Sequence, residues 1–442
     1  MSDRPPAPPR HRGRLLTVVV ISQLLSSAIT WLTWAKFRGR EFGDTRYYFD
    51  SLTSIADHGL VAGIREAMPE YPVPAVWVLD LPRLLSDGSV EGYRDAFVVL
   101  VALLGVAFTA ILWLAGVRRG DHRAGALAAV LWCFFCAGLG SVLWLRIDLL
   151  LGVLLGTVVV VAARHPGVAG ALVAAAAWLR IWPAVLALPL LAERRRWRHA
   201  AAGFALTAGA VGIVALLIAG PTRLLSPLSY QSGRGLHVES VPAIPLVIAR
   251  MSDPPQWPVR YTEWKAFEIF GPGREEVLAL ADVASILGVA ACLGLVGLTA
   301  WRMRGGRDPT PAFTLAVLVV AITCIVLVVN KTLSPQYIAW LGAPVAAAVL
   351  VADDEQRGPA VRWMALACLV AVLTQLVFPL TYSDLTMTRE AENMTLPGAA
   401  LLGRNLVLVW LTLDVAWYAV RRAWPKGPEK AADAGRTTAP LV

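Results

Sequence analysis

Ten apolar runs, each near the length that spans a bilayer, alternate along this chain with short basic clusters and longer mixed-polar stretches. They cover 15–36, 96–117, 124–144, 147–163, 200–219, 277–301, 311–330, 336–352, 361–380 and 398–420. A helix needs about 20 apolar residues to cross the hydrocarbon core. An eleventh region, 168–192, is apolar but interrupted by "WLRIWP". We expect two short helices there, meeting at Arg180–Pro183, with the broken backbone turned to protein or water rather than lipid. The pattern predicts an all-α polytopic membrane protein with about 10–12 membrane segments.

Composition agrees. Of 442 residues, 57% are hydrophobic and 16% charged, against roughly 25% charged in soluble domains, and mean hydropathy is +0.60. The net charge of +9 does not point to nucleic acid, because the basic residues lie in short clusters between apolar runs, where they set topology. "RHRGR" (10–14), "RRGDHR" (118–123), "ERRRWRH" (193–199), "WRMRGGR" (301–307) and "RRAWPK" (421–426) all fall on the cytoplasmic side if 168–192 enters and returns. Both termini are then inside, with 1–14 and 424–442 expected to be disordered and 15–423 to form one membrane domain. The first run is too long for a signal-peptide core and lacks a small-residue cleavage site, so it reads as an uncleaved span. Three long segments, 37–95, 220–276 and 381–397, face outside. Long polar loops are uncommon without a task, so the chemistry is expected on the extracytoplasmic face of a multi-pass cell-membrane protein. The five Cys all lie in apolar runs and read as buried apolar residues.

The polar residues at span ends carry the candidate chemistry. "EFGDTRYYFDSL" (41–52) follows the first run and contains Asp44, Arg46, Tyr47, Tyr48 and Asp50. Asp44 reads either as a general base or as a solvated carboxylate capping a helix that starts at Thr45. "EYPVPAVWVLDLPRLL" (70–85) reads as an interfacial helix opened by Tyr71. Arg146 and Asp148 sit between the third and fourth runs. Arg180 needs an anionic partner, either a protein carboxylate or a phosphate, which a guanidinium grips through several donors. Lys331 is a cavity cation or a snorkelling helix-end lysine. Ser334, Gln336 and Tyr337 open the following run. The second outer segment gathers Tyr230, Arg234, His237 and Glu239.

No zinc-protease spacing, Walker loop, dinucleotide fingerprint or nucleophile elbow occurs. A transporter of lipid-linked sugars remains an alternative, although it would bury its polar groups near the bilayer midplane, whereas here they sit at span ends. A non-catalytic scaffold is a third reading.

The motifs in order resemble a known family. "GDTRYY" after the first span, Tyr71-Pro72 opening a short segment, "RGLHVESVPA" (234–243) and "SPQYIAWL" (334–341) are together similar to the GT-C membrane glycosyltransferases. More narrowly they resemble glycosyltransferase family 87, the polyprenyl-phosphate-mannose-dependent mannosyltransferases of actinobacterial envelopes. The chain departs from that family's pattern at Arg180, where Lys is usual, at Arg146-Ile147-Asp148, where Gly-Gln is common, and at Tyr-Pro-Val-Pro, where Tyr-Pro-Pro is commoner. The resemblance implies an inverting transfer, with Asp44 as base, from a polyprenyl phosphate sugar to a hydroxyl of a glycolipid, lipoglycan or peptide. The sugar would be mannose, with arabinofuranose or glucose as alternatives. Arg180, Lys331 and Arg234 would hold the donor phosphate without a metal or other cofactor. Tyr47, Tyr48, Tyr71, Arg146, His237, Glu239, Ser334, Gln336 and Tyr337 would contact substrates or, for His237 and Glu239, hold the outer loop over the site.

Overall fold

A computed structural model describes residues 9–37, 42–144, 146–192, 196–303 and 310–423. The disorder expected for the N-terminus concerns 1–8 in part, and that of the tail 424–442 wholly; these residues, with 193–195 and 304–309 of the basic clusters, lie outside the described residues.

The protein is an all-α polytopic membrane protein. Among the described residues, eight helices are long and apolar enough to cross a bilayer: Arg12–Phe37, Val90–Arg119, His122–Leu143, Trp197–Ala219, Arg274–Trp301, Pro311–Val329, Asp354–Leu380 and Ala391–Arg422. Four shorter apolar helices, Asp148–Val161, Pro166–Leu179, Trp182–Leu191 and Pro335–Val351, stand where the remaining runs were read. The 168–192 region breaks as expected: Pro166–Leu179 ends at Arg180, whose backbone is extended, before a 3-10 turn at Trp182–Leu186.

The centre of the bundle is the helix Ala339–Val351, buried at every residue. It lies against Asp148–Val161, where a Cβ at Gly152 would come within 2.3 Å of the Ala339 carbonyl oxygen. Without hydrocarbon-driven association inside a membrane, such small-residue contacts let backbones approach closely enough for dispersion to hold them.

Segments between spans at one end of the bundle are folded rather than loose. The first forms helices Phe42–His58, Leu60–Glu66 and Val73–Asp80. The second forms Pro221–Ser232 and Ile244–Ser252, then a small antiparallel hairpin, Val259–Tyr261 with Phe267–Ile269, paired Arg260 to Glu268. The hairpin is an addition to the expected all-helical pattern.

Three buried arginines tie these segments together. Arg223 donates to the carbonyls of Ile64, Ala67, Met68 and Tyr71 and to Ser226 Oγ. Arg250 donates to Pro254, Trp257, Leu385 and Thr388 carbonyls. Arg404 meets Glu239 Oε2 at 2.5 Å, the Glu239 carbonyl and Asn405 Oδ1. Buried carbonyls freed from regular structure need donors, and each guanidinium supplies several at once.

Candidate active site

One cavity of about 470 Å³ opens at the end of the bundle that carries the folded segments. It falls within the roughly 300–1,000 Å³ of small-ligand sites. Eight separate parts of the chain wall it: the start of Phe42–His58, Glu70-Tyr71, Arg146, Arg180, the 230–237 and 261–267 stretches, Ser334–Tyr337, and Phe378 with Tyr382.

Asp44 stands in the first turn of Phe42–His58, with its carboxylate oxygen 2.5 Å from Arg146 Nε. The helix is Phe42–His58, so Asp44 lies within its first turn and is not a cap for a helix opening at Thr45. One turn on, Tyr48 meets the Tyr71 hydroxyl at 2.9 Å, while Tyr47 donates to Glu70 at 2.8 Å. Burial raises the phenol pKa of all three tyrosines, so they remain protonated donors. Asp50 lies away from this face in an exposed pair with Arg46, 3.7 Å apart.

Arg180 finds a protein carboxylate. Its NH2 lies 3.3 Å from Asp148, which is fully buried and also accepts from Trp340 Nε1 at 2.8 Å. The guanidinium sits between the rings of Tyr71 (4.8 Å) and Tyr337 (5.2 Å), a cation–π arrangement that fixes its plane. Arg234 also faces the cavity, and no ion pair to it occurs among the described residues. The Nε atoms of Arg180 and Arg234 are buried and make no hydrogen bond within the protein. His237 is held by backbone bonds: its N–H donates to the Lys331 carbonyl, and its Nδ1 accepts from the Glu239 N–H. Burial, reinforced by Arg234 and Arg404, pushes its pKa down to about 3, so the ring is neutral near pH 7.

Of the residues the resemblance gives a catalytic, phosphate-holding or substrate-contacting part, Asp44, Tyr47, Tyr48, Tyr71, Arg146, Arg180, Arg234, His237, Ser334, Gln336 and Tyr337 all line this cavity. Two do not. Lys331 is paired with Asp282 at 2.9 Å, and Glu239 is bound to Arg404. Glu239 therefore anchors the 220–276 segment rather than facing the cavity. The sequence reading passed over Glu70 and Lys265, whose ammonium lies 3.1 Å from the centre of the Tyr47 ring. The signal for Glu70 was its place directly before Tyr71-Pro72, and for Lys265 the mixed aromatic and charged run "YTEWKAF". Among the described residues, no three His, Cys, Asp or Glu come together as metal ligands.

The lining thus sets four basic side chains, Arg146, Arg180, Arg234 and Lys265, against two carboxylates, Asp44 and Glu70. A protonated tyrosine cluster, surplus guanidinium donors and one half-exposed carboxylate suit a small anionic substrate that reacts with a hydroxyl. The profile of glycosyltransferase family 87 matches residues 70–329, more than half of the chain. The chain belongs to glycosyltransferase family 87. Among curated proteins, no relative matches. The matched stretch includes Tyr71, Arg146, Arg180, Arg234 and His237, and ends before Ser334–Tyr337. Asp44, Tyr47 and Tyr48 precede it, so their place in this family 87 glycosyltransferase rests on the cavity they share with the matched residues.

Proposed function

We propose that this membrane glycosyltransferase moves a mannosyl residue from polyprenyl phosphate mannose to an acceptor hydroxyl, with inversion, at the extracytoplasmic face of the cell membrane. The observation that carries the reading is the half-exposed Asp44 carboxylate in one cavity with guanidinium groups that keep unused donors.

In this reading Asp44 accepts the proton of the acceptor hydroxyl while that oxygen attacks the sugar C1. The C1–O bond to phosphate breaks, and its electron pair leaves on the prenyl phosphate, so a β-linked donor gives an α-mannoside. Arg146 orients the base. Charge grows on the leaving phosphate, and preorganised cations placed where charge develops lower the barrier. Arg180 and Arg234 take that part; Lys331, turned to Asp282, is left outside it. The guanidinium groups supply the positive charge a metal would otherwise bring, so the transfer needs no metal and no nucleotide. One carboxylate is enough, because the leaving phosphate, unlike the leaving alcohol in glycoside hydrolysis, needs little protonation.

The test uses purified protein in nanodiscs with short-chain polyprenyl phosphate mannose, arabinofuranose and glucose, reading product mass and anomeric configuration. Mannose transfer with inversion is expected, and Asp44→Asn should lower turnover on the order of 10²–10⁴-fold with an unchanged melting midpoint. Near-normal turnover in folded Asp44→Asn protein would remove Asp44 from its role. Transfer of another sugar in place of mannose would correct the donor.

A further inference from the structure

The cavity holds a second carboxylate that the transfer chemistry does not need. Glu70 is only partly buried, and its Oε1 accepts from Tyr47 at 2.8 Å. Among the described residues it makes no ion pair, whereas Asp44 is paired with Arg146 and Asp148 with Arg180. In a cavity with a surplus of cations, a carboxylate held by a neutral phenol rather than a guanidinium keeps its second oxygen available to a ligand. We propose that Glu70 is the acceptor-binding carboxylate of this enzyme and that it selects acceptors carrying a hydroxyl next to the one that attacks. This rests on the transferase reading above and assigns the part of the cavity which that reading leaves unused.

The geometry supports a division of labour. Asp44, Tyr47 and Tyr48 project from one helix, and the two tyrosines lead to Glu70 and Tyr71 respectively. Glu70 is therefore tied by the Tyr47 hydroxyl to the helix that carries the base, and both carboxylates line the one cavity, so that one hydroxyl of an acceptor could meet Asp44 while its neighbour meets Glu70. An ionised carboxylate can accept a hydroxyl proton on each oxygen, and such charge-assisted bonds are stronger than neutral ones. The hairpin adds an aromatic wall on the same side. Lys265 is seated on the Tyr47 ring, Trp264 packs edge-on to Tyr230 at 4.9 Å, and Tyr261 stands exposed at the mouth. A carboxylate beside flat rings suits a polyol with an apolar face; a simple alkyl alcohol offers it no second hydroxyl to bind.

Octyl α-mannoside serves as probe, with n-octanol as the alcohol lacking a neighbouring hydroxyl. For wild type, saturable use of octyl α-mannoside and none of n-octanol are expected. Glu70→Gln should raise KM for the mannoside about tenfold or more, with kcat falling much less. Tyr47→Phe should move KM the same way by less, and Asp44→Asn should instead collapse kcat. A collapse of kcat in Glu70→Gln matching that of Asp44→Asn overturns the assignment, as does an unchanged KM. Binding measured calorimetrically keeps the two proposals apart. If wild type does not consume polyprenyl phosphate mannose, the donor reading fails, yet weaker mannoside binding by Glu70→Gln still supports this one. If the donor is consumed but octyl α-mannoside neither binds nor reacts, this proposal fails alone.

Discussion

Two sets of arginines at the same end of the bundle do opposite things. Arg223, Arg250 and Arg404 are buried and spend their donors on the chain itself, each bonding several carbonyls or a carboxylate. Arg180 and Arg234 are turned to the cavity, and each keeps a buried Nε without a protein partner. Buried donors are nearly always satisfied, so the two sets separate scaffold from site more sharply than residue type does. An open Nε is not enough by itself, since Arg274 and Arg357 have one too, away from the cavity; it marks the site only where, as at Arg180 and Arg234, the guanidinium also lines the cavity.

The largest effect is expected in the first set. Arg404→Met removes the cationic partner of a fully buried pair and leaves Glu239 with no opposing charge in a site whose burial already raises its pKa, a change that costs about 3–5 kcal/mol. It should also release the 237–240 turn that Asn405 and Arg404 hold. The measurement is the thermal midpoint and the monodisperse yield in detergent, both expected to fall steeply, and an unchanged midpoint would place Arg404 outside the scaffold set. A double variant that also changes Glu239→Gln should recover part of the loss, since no buried charge then remains.

Arg234, the member of the second set that pairs with no carboxylate among the described residues, should behave the other way round. Arg234→Gln takes away no protein group's partner, so the melting midpoint should hold. Transfer should drop about 10²-fold, the scale seen when one preorganised donor to a developing charge is removed. The loss should appear in kcat more than in KM if, as proposed, a leaving phosphate gains charge between the bound donor and the transition state. If Arg234→Gln instead melts early with normal turnover per folded molecule, Arg234 joins the scaffold and the comparison loses one of its two members.

How much of this the sequence disclosed follows from the range of the interactions involved. The spans were legible because hydropathy is a local property, and so was the break at Arg180, where a cation and Pro183 interrupt an apolar run. Asp44, Tyr71 and Ser334–Tyr337 reach one cavity because alternating spans return to the same side of the bundle. Pairing was not legible. Asp148 and Arg180 lie 32 residues apart, and Glu239 and Arg404 lie 165 apart. Nothing near "RGLHVESVPA" shows that its His will line the cavity while its Glu, two residues on, turns into the scaffold. Lys331 and Lys265 pose the same problem in reverse: both are lysines near span ends or in polar loops, and only the packing of Asp282 and Tyr47 decides which one faces the cavity. The hairpin escaped because three-residue strands in a polar segment carry too short a pattern to distinguish from a loop.

His237 sits between the two sets and offers the finest test of where they meet. Its side chain lines the cavity, its backbone is bound to Lys331, and its neighbours Arg234 and Arg404 belong one to each set. Burial and those two cations hold its pKa at about 3, below the ordinary value near 6.5. The folded protein therefore refuses a proton that the unfolded chain accepts below about pH 6.5, so the unfolded state binds more protons in that window and stability rises with pH there. The contribution is complete above pH 6.5 and is lost as pH falls toward 3, at most about 1.4 kcal/mol per pH unit. His237→Asn should flatten the midpoint-against-pH curve between pH 6.5 and 4. Arg234→Gln should flatten it in part, since it removes one of the two cations that oppose protonation. An unaltered slope in Arg234→Gln would mean that burial and Arg404 keep His237 neutral without help from the cavity cation.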